Sequence, residues 1–229
     1  MNPRNRQRFG GRSACSGRFS RWLAYGLYAA IAFVLLRPTG FVGNYLSGSL
    51  RRYQERRSVN RHWTQLANGP RLGNPNALSL LIEFSDYECP FCRQASTVID
   101  SVLRRYPGVA LVYHHLPLSI HPAARGAALA GICAAQQGHF RNMHAYLFTT
   151  NSWMDDRDWA AAAGGAEVEN LAAFADCMGS SEAVRLLAQD LELASSLGIK
   201  ATPTFVHKRG LIVGVPTGEQ LSRLIEDMK

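Results

Sequence analysis

The chain has 229 residues, of which 47% are hydrophobic and 18% charged, so it can bury a core and is explained best as one globular domain with extensions. Its net charge of +8 is uneven: residues 1–61 hold twelve arginines against one acid, whereas the other 168 residues hold thirteen bases and sixteen acids. The folded part is therefore slightly acidic, which argues against nucleic acid as a partner.

The N-terminal segment has the pattern of a membrane topology signal. Six arginines and no acid precede an apolar run from Trp22 to Leu36, an arrangement that keeps an N-terminus in the cytoplasm. The run would form a helix of about 22 Å against a hydrocarbon core of about 30 Å, so a cleaved signal peptide is an alternative. Because Arg37 can snorkel and Phe41 and Val42 extend the apolar contact, we favour an uncleaved anchor.

These features divide the chain into four predicted parts. They are a basic cytoplasmic arm (1–21), a transmembrane signal-anchor (22–43), a polar and partly helical spacer (44–75) and a folded domain (76–229). The expected location is the bacterial inner membrane, crossed once, with the domain in the periplasm or its extracellular equivalent. Secretion to the periplasm after signal cleavage is the alternative.

The domain opens with an apolar run, Leu78 to Phe84, which predicts a buried strand and leads into Cys89-Pro90-Phe91-Cys92. Apolar residues then recur at helical spacing until Tyr106, which predicts a helix. Because a proline is tolerated in the first turn, Pro90 indicates that this helix begins at Cys89. Backbone N–H groups in that turn stabilise a thiolate. Cys89 should be exposed and reactive, with Cys92 one turn inside.

Two other interpretations of the cysteine pair stay open. Zinc needs two more ligands at matching spacing, yet the other cysteines, Cys15, Cys133 and Cys177, are isolated. A purely structural disulfide is the second alternative, although the strand–turn–helix context favours redox chemistry. We therefore predict a redox site without metal or cofactor.

The rest of the chain predicts a strand at Val109 to Tyr113, a helical block within residues 117–198, and a hairpin of Thr204 to Val206 with Leu211 to Val215. A final helix follows Thr217, which opens a capping box with Gln220. Four cysteines follow the apolar run and the motif uses two, so Cys133 and Cys177 are predicted to form a structural disulfide. Two buried free thiols are the alternative.

Together these elements resemble a thioredoxin fold, an α/β fold with a mixed central sheet, carrying an inserted all-helical subdomain as in the disulfide oxidoreductases similar to DsbA. The resemblance covers about residues 76–229. It is carried by Glu83 with Cys89-Pro90-Phe91-Cys92, by Leu116 to Ala128 with His121-Pro122, and by Gly198 to Phe205 with Thr202-Pro203.

The resemblance implies roles for individual residues. It implies a cis peptide bond before Pro203, facing the cysteines, and a substrate groove formed with Thr202, Pro90 and Phe91. Glu83 matches a buried acid that would relay the proton of Cys92; the alternative is that it faces solvent.

Other polar residues near the motif are predicted to have no role in the chemistry. Asp86 and Glu88 are interpreted as solvated loop acids. His114, His115 and His121 are interpreted as loop or helix-entry residues.

The leading functional prediction is an oxidase of cysteine pairs in exported polypeptides, reoxidised by a membrane partner similar to DsbB or vitamin K epoxide reductase. The strongest oxidases of the family have histidine where this chain has Phe91, so a milder oxidant is expected. A reductase or isomerase and a chaperone-like polypeptide-binding module are the alternatives.

Overall fold

The computed structural model describes residues 16–36, 41–208 and 210–226, and the chain divides into two compact units, the second beginning at Tyr53. The first unit contains α1 (Ser16–Leu36) and the beginning of α2 (Phe41–Arg61). Within the described ranges, no helix combines the length and apolar character needed to cross a membrane.

The predicted anchor at residues 22–43 is therefore not supported. The apolar run ends with α1 at Leu36, and the apolar residues expected to lengthen it, from Phe41 onward, belong to the separate helix α2. Most of the predicted basic arm, residues 1–15, lies outside the described residues.

The second unit is built on a five-stranded sheet with the order β1-β3-β2-β4-β5. Strands β2 and β3 are parallel, and the other three pairs are antiparallel. The elements are α3 (Trp63–Leu66), β1 (Arg71–Gly73), β2 (Ser79–Ser85), α4 (Pro90–Arg105), β3 (Val109–His115), α5 (Ala124–Gln136), α6 (Phe140–Thr149), α7 (Ser152–Asp156), α8 (Trp159–Gly165), α9 (Leu171–Met178), α10 (Ser181–Ser196), β4 (Thr204–His207), β5 (Gly210–Val213) and α11 (Gly218–Glu226).

Helices cover both faces of the sheet, which explains why the central strands are apolar on both sides. Leu81 and Leu111 point into the core formed with α4, α5 and α11, whereas Ile82 and Val112 point into a second core that includes residues of α10. Side chains of a strand alternate between faces, so Glu83 shares the α4 face with Leu81.

The folded unit begins earlier than the sequence indicated. Strand β1 lies within the predicted spacer and pairs with β3, and Val59 and Leu66 are buried in the second core. A three-residue edge strand is too short to leave a pattern in the sequence, and two buried residues separated by seven positions give no recognisable periodicity.

The helical block and the C-terminal helix follow the predicted pattern. Cys133 of α5 and Cys177 of α9 form a disulfide. At the start of α11, Thr217 and Gln220 exchange the two hydrogen bonds of a capping box, at 2.8 and 3.1 Å.

Candidate active site

The cysteine motif lies where β2 ends and α4 begins. Cys89 is the N-cap residue, Pro90 occupies the first helical position and Cys92 lies in the first turn. Both cysteines are free thiols in this structure. Cys92 is fully buried, and Cys89 is only 4% exposed, so the expectation of an exposed Cys89 was wrong.

The loop before β4 covers the sulfur of Cys89. The Thr202–Pro203 peptide bond is cis. The carbonyl oxygen of Thr202 accepts a hydrogen bond from the Cys89 thiol at 3.6 Å, and the carbonyl oxygen of Pro203 accepts one from the backbone N–H of Gly214 at 2.8 Å. By contrast, Phe91, which stands between Pro90 and Cys92 in the motif, is 57% exposed.

The two thiols have opposite acidities. The pKa of Cys89 is lowered to about 5, mainly by the hydrogen bond from Cys92, with smaller contributions from Thr202 and the backbone N–H groups of Phe91 and Cys92. Burial raises the pKa of Cys92 well above its usual range. The sequence had indicated the start of the helix as the main cause, but that contribution is smaller than the one from the neighbouring thiol.

Glu83 lies on the same side of the sheet as Cys92 and is 2% exposed. It pairs with Tyr113 of β3 and Phe205 of β4, so both neighbouring strands shield it from solvent. Burial raises its pKa to about 8. A carboxyl group that is mostly protonated near neutral pH can give a proton to a leaving thiolate or accept one from a thiol.

The raised pKa of Glu83 predicts a dependence of stability on pH. The folded state binds this proton more tightly than the unfolded state, so the stabilisation is complete below about pH 4.5 and is lost as pH rises through about 8. Relative to Glu83→Gln, the free energy of unfolding of the wild type should fall by up to about 1.4 kcal/mol per pH unit between those values. Urea denaturation of both reduced proteins from pH 4 to 9 measures this difference, because other titrating groups are common to both; parallel curves would refute it.

Asp86 and Glu88 are not the solvated loop acids that the sequence suggested. Asp86 is 1% exposed, and its carboxylate accepts hydrogen bonds from the backbone of Glu88 and Leu118 and from Nδ1 of His121, at 2.9, 2.8 and 2.7 Å. Glu88 accepts one from the backbone N–H of Ala123 at 2.7 Å. The two acids therefore hold the loop between β3 and α5 against the motif.

Asp86→Ala should destabilise the protein by about 3 kcal/mol, because it removes three hydrogen bonds and leaves three partly buried N–H donors without their acceptor. Asp158→Ala is the matched control, since Asp158 caps α8 through one exposed hydrogen bond and its loss should cost about 1 kcal/mol. Chemical denaturation measures both. Equal losses would mean that Asp86 does not organise the loop.

Two of the three histidines predicted for loops lie in a strand, whereas His121 lies in the loop before α5, as expected. His114 and His115 belong to β3 and are buried, and His114 donates to Asp190 of α10 at 2.7 Å. Of the three, His121 is linked to the motif, since its partner Asp86 also donates its backbone N–H to Cys92 Sγ at 3.4 Å.

One buried polar residue had no signal in the sequence. His144 occupies an ordinary position in α6, yet its Nδ1 is 3.3 Å from the hydroxyl of Tyr87, 57 residues earlier. Only the packing of α6 against the motif brings the two together. No cluster of three or more histidine, cysteine or acidic side chains that could hold a metal ion occurs in the described part of the chain.

Comparison with known proteins places this geometry in a family. A family model described as "Thioredoxin" matches residues 65–227. The curated relatives include a Na(+)/H(+) antiporter NhaA 1 of Mycolicibacterium gilvum, 36% identical over 139 residues, or 58% of this chain. The chain spans only about a fifth of the length of these relatives, 22% in that case.

Three solved structures share the fold. A thioredoxin-like oxidoreductase from Silicibacter pomeroyi is 29% identical, with a TM-score of 0.63 over 69% of this chain and 90% of that one. A linker-deletion mutant of Proteus mirabilis ScsC is 19% identical (TM-score 0.70, 95% and 98%), and the thiol-disulfide exchange protein α-DsbA2 from Wolbachia pipientis is 16% identical (TM-score 0.70, 79% and 98%). The chain therefore belongs to the thioredoxin family and is DsbA-like in its fold.

Proposed function

We propose that the protein is a thiol–disulfide oxidoreductase that oxidises cysteine pairs in exported polypeptides through a Cys89–Cys92 disulfide. The observation that carries this proposal is the opposite acidity of the two thiols. A low pKa makes Cys89 a good leaving group and a reactive thiolate, whereas Cys92 is buried where only an internal partner reaches it.

The first step opens the protein disulfide. A substrate thiolate attacks Cys89 Sγ, a mixed disulfide forms, and the bond between Cys89 and Cys92 breaks with its electron pair going to Cys92. A buried thiolate with a strongly raised pKa takes up a proton at once, and Glu83 is the acid on the same face of the sheet.

The second step releases the oxidised substrate. The second substrate thiolate attacks the substrate sulfur of the mixed disulfide, and Cys89 leaves as a stabilised thiolate. Two electrons have then passed to the protein. A membrane partner similar to DsbB or vitamin K epoxide reductase would accept them and restore the disulfide.

Substrate contacts are proposed at the surface around Cys89. Phe91 and Pro90 are exposed, and the cis Thr202–Pro203 segment lies against the sulfur. This arrangement suits an extended polypeptide, since backbone groups of the Thr202 loop can pair with those of the substrate.

Replacing Phe91 with histidine should raise the reduction potential and lower the pKa of Cys89 together. An imidazolium beside the helix start would stabilise the thiolate and hence the reduced form, which a neutral phenyl ring cannot do. Equilibration with glutathione gives the potential, and the absorbance of the thiolate against pH gives the pKa. A change in one quantity without the other would refute this explanation.

Phe91 also supports the second candidate, a reductase or isomerase, because a less stabilised thiolate makes the reduced protein a better electron donor. Two assays distinguish the directions. The oxidised protein should catalyse disulfide formation in a reduced two-cysteine peptide faster than the reduced protein opens the same peptide's disulfide. The opposite order would favour the reductase.

We also propose that the domain works outside the cytoplasm. The Cys133–Cys177 disulfide is typical of oxidising compartments, and the arginine bias of residues 1–61 favours export. Protease added to intact spheroplasts should digest the domain; digestion only in inverted vesicles would refute this.

A further inference from the structure

A group of buried polar side chains continues from Glu83 into the interior of the domain, and the proposed reaction leaves most of it unused. We propose that Ser85, Tyr113, Tyr87 and His144 form a proton path from Glu83 to a cavity lined by residues of α4 and α6. The inference rests on the proposed function, because it supplies the proton that Glu83 exchanges with Cys92.

The first part of the path runs along one face of the sheet. Glu83 pairs directly with Tyr113, and Ser85 is two residues further along β2, so all three side chains project to the same side. Glu83 Oε1, Ser85 Oγ and the Tyr113 hydroxyl are buried and make no direct hydrogen bond to a described residue.

Ser85 is nevertheless the neighbour that these groups share. Its hydroxyl lies close enough to lower the pKa of Glu83, Tyr113 and Cys92 against the opposing effect of burial. Glu83, Ser85 and Tyr113 make no direct hydrogen bond to one another in this structure. Rotation of a hydroxyl group or one bridging water molecule is enough to connect polar groups that lie this close.

The second part of the path crosses from the sheet to α6. The rings of Tyr113 and Tyr87 are stacked, with centroids 5.2 Å apart and planes inclined by 19°. The two hydroxyl groups lie close enough for Tyr113 to lower the pKa of Tyr87 against the larger, opposing effect of burial, so a proton can pass between them. The Tyr87 hydroxyl then lies 3.3 Å from Nδ1 of His144. Burial lowers the pKa of His144 to about 3, so at neutral pH the imidazole is uncharged, with one nitrogen that donates and one that accepts.

The path ends at a cavity of about 450 Å³, lined by His144, Phe148, Ser96, Asp100, Arg104 and Arg141 among others. None of its lining residues belongs to the cysteine motif or to the Thr202–Pro203 loop. His144 is 8% exposed. A proton can therefore reach solvent here while a polypeptide covers Cys89.

Charges around the path favour neutral carriers. Arg141 on α6 disfavours a proton resting on His144, and a proton on the buried His115 of β3 would do the same. His115 is itself uncharged at neutral pH, because burial lowers its pKa to about 4. Transfer through neutral hydroxyl and imidazole groups avoids placing a charge among these residues.

Packing alone does not explain the chemistry of this cluster. If Tyr87, Tyr113 and His144 served only as packing, phenylalanine could replace them and fill nearly the same space. Phenylalanine would also avoid the cost of burying hydroxyl groups and imidazole nitrogens, which is about 1–3 kcal/mol for each unsatisfied group. The catalytic cycle gives them a use. At pH 7 the Glu83 carboxyl carries its proton in most molecules and must lose it before it can accept the proton of Cys92.

The test measures the step in which Cys92 is deprotonated. The protein is prepared as the mixed disulfide of Cys89 with glutathione, and release of glutathione by attack of Cys92 is followed at pH 7 by rapid mixing. Tyr87→Phe and His144→Ala should each slow the release by roughly tenfold or more, because each removes a group that passes the proton on. Tyr146→Phe, also on α6 but outside the path, is the matched control and should react at the wild-type rate.

Two further readouts separate a proton path from a structural effect. The equilibrium constant with glutathione should change less than twofold, because a path alters rates and not end states. Added imidazole should restore release in His144→Ala but not in Tyr87→Phe. Release from Tyr87→Phe at the wild-type rate, or slow release without rescue in His144→Ala, would overturn the inference. A wild type that releases no glutathione would instead contradict the proposed function itself.

Discussion

Cys89→Ser is expected to abolish thiol–disulfide exchange completely, whereas Cys92→Ser should keep the first step and accumulate mixed disulfides with substrates. Cys89 has the lowered pKa, and its sulfur lies against the Thr202 carbonyl, beneath the exposed Pro90 and Phe91 where we propose that a substrate binds. Cys92 is fully buried, so it reacts only with Cys89: it leaves when a substrate attacks the Cys89–Cys92 disulfide, or it attacks Cys89 Sγ in a mixed disulfide.

Each variant is mixed with a peptide that carries one disulfide, and covalent adducts are counted by mass spectrometry of the intact protein. Only Cys92→Ser should give an adduct that persists, and alkylation should map it to Cys89. The double variant Cys89→Ser/Cys92→Ser controls for reaction elsewhere. Persistent adducts on Cys89→Ser, through Cys92, would reverse the assigned roles.

Loss of the Cys133–Cys177 disulfide should have the largest effect on stability. The bridge joins α5 to α9 across a separation of 44 residues, and a closed loop of this length stabilises a domain by about 4 kcal/mol through the entropy of the unfolded chain. For a chain of this size, the loss should lower the melting temperature by roughly 10 °C.

The change is made as Cys133→Ala/Cys177→Ala in the Cys89→Ser/Cys92→Ser background, so that the second disulfide is the one bond that differs. Urea denaturation gives the free energy of unfolding, and a reducing agent should destabilise the parent but not the variant. If parent and variant unfold at the same urea concentration, the bridge has no stabilising role.

The sequence was sufficient for features whose residues are close together in the chain. An apolar run followed by Cys89 and Cys92 predicted the β2–α4 junction, and the spacing of Thr217 and Gln220 predicted the capping box. Such patterns are local, so spacing and residue type determine them.

Features that depend on distant residues could not be predicted in this way. Asp86 and His121 are 35 residues apart, so their hydrogen bond leaves no pattern in the sequence. Asp86 and Glu88, which precede the cysteine motif, were therefore interpreted as solvated. Strand β1 forms only because β3 offers an edge. The apolar run from Trp22 to Leu36 predicted an anchor that the helices do not support, because hydrophobicity alone does not fix where a helix ends.

The reduction potential of the Cys89–Cys92 couple, measured by equilibration with glutathione buffers, tests the central claim most directly. With Phe91 in place of histidine, the value should lie between about −120 mV, as for DsbA, and about −270 mV, as for thioredoxin. Within that range the couple can exchange electrons with other proteins. A value below about −300 mV, where structural disulfides lie, would contradict the assignment of this motif as a redox site.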